Sequence, residues 1–225
     1  MSDVEITVRG SHRRFHPAER GTVHARIALE GADPKAVYDA VVRSAGRAHA
    51  SITDLHDPSR GPVTWWSAQD VRTWTTRPWN KDGKQLPQVH HARTDLEVKF
   101  SDFARLSTWL REMSSVLGFA VDKVAWSLTE VRKAELVREA RTGAVVNARD
   151  KAVAYAAALG LGDVRPLEVA DSGMLGHDRR AEKPAAAPYA RGAALAGSGE
   201  QDLTLLPEDI EITASVDARF VASGA

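Results

Sequence analysis

Eight histidines and no cysteine set the chemistry open to this chain, so any metal or nucleophile site must draw on imidazole, carboxylate or hydroxyl groups. His12 with His16, and the adjacent His90 and His91, are the candidate ligands. Neighbours on a strand point to opposite faces, and zinc needs three or four converging ligands, so no metal is assigned to them. No G-x-S-x-G elbow or H-E-x-x-H motif is present. Gly160-Leu161-Gly162 closes a helix where a phosphate cradle would open one, and Gly197-Ser198-Gly199 lies in an irregular stretch. The residues therefore assign no catalytic group and no cofactor.

Two other groups of side chains stand out. Trp65, Trp66, Trp74 and Trp79 crowd into one hairpin. Trp65 and Trp66 must face opposite sides of a strand, so one of them is left for solvent or another subunit. Indoles are enriched at interface centres, which makes this set a candidate interaction surface. A core position for Trp66 and Trp74 beneath helices, or a small-molecule-binding or enzymatic module with its pocket between the hairpin and a helix, are the competing readings. Arg9, Arg13, Arg14, Arg20 and Arg26 form a locally basic stretch that could meet an acidic partner. The whole chain balances 30 basic against 30 acidic residues, so no global field gathers nucleic acid or anionic lipid.

The elements that must position these groups are legible as patterns. The chain's 225 residues fit one large domain or two small ones and need no disulfide staple. Mean hydropathy is −0.31, and no run approaches the ~20 apolar residues of a membrane span. The opening Ser2–Arg9 alternates like a strand and carries no secretory signal, which gives an expectation of a cytoplasmic protein. Val23, Ala25, Ile27 and Leu29 mark a second strand, expected to pair with the first as a hairpin across a polar connection from Arg9 to Arg20. Asp33-Pro34 starts a helix to about residue 50. Residues 63–79 and 88–100 read as a longer hairpin around the turn chemistry of Asn80–Lys84.

Ser101 or Asp102 caps a helix with Phe103, Leu106, Leu110, Met113 and Leu117 on one face, ended by Gly118. Val124, Trp126 and Leu128 mark a short strand. A long helix follows from about Glu130 to Leu159, with Ala140, Ala144, Ala148, Ala152 and Ala156 in a stripe that lets a neighbour approach closely. Val164–Ser172 is a strand with Leu167 and Val169 inward. Residues 173–206, with eight Ala, five Gly and two Pro, read as a flexible insertion before a closing strand at 209–222. The expected class is α+β: antiparallel sheets packed with three helices in the order β-β-α-β-β-α-β-α-β-β, all within one domain spanning 1–225.

That order and three stretches resemble the SIMPL-domain family, named for a signalling molecule that associates with the mouse pelle-like kinase. The stretches are Ile6-Thr7-Val8-Arg9-Gly10 with Thr22-Val23 to Leu29 around Pro17; then Glu139-Ala140-Arg141, Ala144-Val145, Ala148-Arg149, Lys151-Ala152 and Ala158-Leu159-Gly160 on the long helix; then the insertion leading to 209–222. The resemblance implies a non-enzymatic protein that forms homo-oligomers, acts through protein partners and is linked to stress tolerance. It supplies no catalytic residue to carry over. The four tryptophans depart from the family, whose members more often show Tyr and small residues there, and many bacterial members carry a secretion signal.

Overall fold

The structure, a computed structural model, describes residues 3–79, 81–175 and 206–224. Eight strands and three helices follow in order: β1 (Val4–His16), β2 (Arg20–Gly31), α1 (Pro34–Leu55), β3 (Val63–Ala68), β4 (Arg72–Thr76), β5 (Val89–Phe100), α2 (Phe103–Met113), β6 (Phe119–Ser127), α3 (Glu130–Ala158), β7 (Leu161–Asp171) and β8 (Ile210–Gly224). The class is α+β with antiparallel sheets. The order differs from the expected one by a single strand, because 63–79 divides into β3 and β4 at Gln69–Val71. The elements gather into two compact units.

The first unit takes β1, α3, β7 and β8, so it joins the two ends of the described chain. Its sheet runs β1-β8-β7, with β8 paired to β1 from Val4↔Ala222 to His16↔Ile210. β1 thus pairs with β8 rather than forming the expected hairpin with β2, and the connection expected from Arg9 onward is strand as far as His16. The reason is a matched surface. Ile6, Val8, Gly10, Ala218 and Phe220 share the sheet face that receives the alanine stripe of α3, and all five stripe residues are buried.

Close approach sets the glycines here. A Cβ on Gly10 would lie 2.0 Å from the Ala144 carbonyl oxygen, and one on Gly143 would lie 2.4 Å from Cγ of His12. Thr129 caps α3, its hydroxyl accepting from the Arg132 amide. On β7, Leu167 and Val169 are exposed instead of inward, since this edge strand slips register between Pro166 and Glu168. The expected closing strand is β8, while 176–205 of the expected insertion lies outside the described residues.

The second unit is built mainly from residues 18–127. Its sheet runs β3-β5-β2-β6, and β4 also pairs with β5. Val23, Ala25 and Ile27 of β2 and Leu96, Val98 and Phe100 of β5 point to one face, where they pack with Val41, Ala48 and Ile52 of α1 and Leu106 and Trp109 of α2. Asp33 caps α1 through Lys35 and Ala36, and Asp102 caps α2 through Ala104 and Arg105. α2 ends at Met113, so Leu117 does not continue its buried stripe and is exposed; Trp109 fills the place between Leu106 and Met113. The indole is fully buried and donates from Nε1 to Ser51 Oγ at 3.0 Å. Its ring lies 5.5 Å from Phe100 and edge-on to Phe119.

Candidate interaction surface

β5 divides its residues cleanly. Ala92, Thr94, Leu96, Val98 and Phe100 enter the core, while His91, Arg93, Asp95, Glu97 and Lys99 line the opposite face. Trp65 pairs with Lys99 and Trp74 with His91, so both indoles stand on that opposite face. The eight-residue separation of their partners corresponds to ~26 Å at the usual strand rise. Trp66 pairs with Val98 and turns inward, packing against the core with its ring 5.3 Å from that of His49.

Each outward indole has a companion on β5. The Trp74 and His91 rings stack at 5.1 Å, only 3° from parallel. Lys99 Nζ sits 5.5 Å from the Trp65 ring centroid, a cation–π arrangement. Trp65 is still 44% exposed and Trp74 46%. Trp79, after β4, bridges to Gln85 and is exposed at 64%. Of the four hairpin tryptophans, Trp66 alone joins the core; Trp74 is not beneath a helix, because pairing with His91 puts it on the face opposite Ala92 and the core. Between the indoles, Asp95 accepts from Arg72 at 2.6 Å and from Arg93 Nε at 2.7 Å. Burial lowers the pKa of His49, favouring its neutral form.

The five arginines of the basic stretch do not form one face. Arg9 and Arg13 point away from α3 and meet Asp217 and Glu211 at 2.7 and 2.9 Å. Arg14, next along β1, points the other way and meets Glu139 of α3 at 3.1 Å. Arg20 and Arg26 belong to β2 in the second unit, where Arg20 donates to the Glu19 carbonyl and Arg26 pairs with Asp122. Asp217 was invisible to sequence reading, since its partner is 208 residues away. It is buried, accepts two bonds from Arg9 and one from the Gly173 amide at 2.6 Å, and these hold its pKa down, Arg9 foremost.

The adjacent histidines take different partners: His90 meets Thr75 Oγ1 at 3.0 Å and His91 meets Thr76 Oγ1 at 2.8 Å. No group of three or more potential metal ligands occurs among the described residues. Two surface depressions lie in the first unit: one of about 650 Å³ includes His12, Arg14, Arg138 and Glu139, and another of about 390 Å³ includes Val153, Leu161 and Val164. Neither is lined by a tryptophan.

The model of SIMPL, a protein of unknown function (DUF541), matches residues 6–220, across both units. The chain belongs to the SIMPL family. No curated protein matches it. The family match covers the β1 stretch, the alanine stripe of α3 and most of β8 together, and with β7 these elements build the first unit of this SIMPL protein. No helix among its described residues is long and apolar enough to cross a membrane.

Proposed function

We propose that this SIMPL chain works through protein contacts, self-assembles, and catalyses no reaction. The observation that carries the reading is the split use of tryptophan in the second unit. Trp109 is sealed in the core, whereas Trp65, Trp74 and Trp79 stand exposed along β3, β4 and the turn that follows. Exposed indoles grouped on one sheet margin are costly to leave in water and are the side chains that most often anchor interfaces. Light scattering after size exclusion tests it. A dimer or larger species at micromolar concentration is the expected result, and a strictly monomeric protein at high micromolar concentration overturns self-assembly.

A further inference from the structure

β4 has β5 on one side and no strand on the other among the described residues. Its outward N–H and C=O groups therefore run along an unpaired edge, a template that native sheets usually guard with Lys, Pro, bulges or inward charges. Arg72–Thr76 contains no Pro, and its single charge is turned back along the sheet, with Arg72 Nη2 on Asp95 at 2.6 Å. Trp74 has one ring face stacked on His91 of β5. Its other face is on the side where a further strand would lie.

We infer that β4 pairs with β4 of a second copy, antiparallel about a two-fold axis at Trp74, joining two sheets edge to edge. The inference rests on the self-assembly reading and names its surface. The strand is self-complementary in that register: Trp74 faces Trp74, Thr73 faces Thr75, and Arg72 faces Thr76. No like charges meet, and aromatic and Thr–Thr pairs stabilise cross-strand contacts. A register centred on Arg72 would set two guanidinium groups against each other, so charge selects against that slip. The Asp95 partner leaves β4 with no unpaired charge to recruit an acidic or basic peptide, which favours a second copy as the occupant.

The absence of cysteine makes the test direct. Opposed Cα atoms in an antiparallel pair lie ~4.5–5.5 Å apart, within disulfide reach. Thr73→Cys and Thr75→Cys proteins, mixed and mildly oxidised, should yield a disulfide-linked dimer in far greater amount than either alone. Trp74→Ala, with its fold checked by circular dichroism, should raise the dimer dissociation constant roughly tenfold or more. An assembling wild-type chain with no preferential cross-link between the mixed variants and no effect of Trp74→Ala overturns this surface while self-assembly stands. A monomeric wild-type chain overturns both.

Discussion

Asp217 receives its three donors in a place that water barely reaches, with Arg9 reaching across from β1 and the Gly173 amide from the turn after β7. Charge-assisted bonds of this kind stabilise the ionised carboxylate more in the folded chain than in the unfolded one. The folded pKa is depressed, so the contribution is fully present above the unfolded value of about 4 and is lost as pH falls through the lower folded value. Asp217→Asn should therefore lower Tm at neutral pH and flatten the acid limb of a Tm-against-pH curve below about pH 4. A curve parallel to that of the wild type would assign the acid limb to other carboxylates. Nothing in the local sequence announces this site, because Arg9 and Asp217 meet only through the register of β1 on β8. Strand alternation alone showed that Trp65 and Trp66 take opposite faces but not which turns inward, and the outward face of Trp74 was hidden because β4 pairs with β5 one residue out of register with β3.

Among the elements, α3 shows how small side chains specify a contact. Its alanines at every fourth position leave no bulk between helix and sheet, so the backbone of β1 comes up against the backbone of α3 at Gly10. Gly10→Ala would force a methyl group to within 2.0 Å of the Ala144 carbonyl oxygen, which no rotamer can relieve. Chemical denaturation should show a loss of about 2 kcal/mol or more, as for overpacked cores. A change below about 0.5 kcal/mol would mean that helix and sheet separate easily. The stripe and its role in close packing could be read from spacing. The partner could not: the same alternation that identified β1, β2 and β8 as strands fits any antiparallel pairing, and the nearest strand in sequence was the wrong choice for β1. The split of 63–79 was also hidden, since across Gln69, Asp70 and Val71 the pairing with β5 shifts by one residue, from Ala68↔Leu96 to Arg72↔Arg93, and the Gln69 carbonyl accepts from Thr94 Oγ1.

For the whole molecule, the two units differ in how they draw on the chain. The second draws almost all its described residues from one continuous run, 18–127, while the first needs β1 from one end and β8 from the other. β8 is central in its sheet, so its removal would leave β1 and β7 without hydrogen-bonded neighbours. Deleting residues 210–225 should therefore abolish protection of α3 in hydrogen exchange while amides of β2 and β5 stay protected. Loss of protection in both units would show that they unfold as one. Composition, alternation and capping residues were enough for the fold class; long-range pairing was not, because matched strands separated by some 200 residues leave no local mark.

The central position of β8 also has a meaning during synthesis. A ribosome releases the second unit's residues 18–127 well before it reaches Ile210, so β1 must wait for β8, the strand on which it pairs. The first unit therefore cannot close until β8 has been made, whatever the second unit has already done.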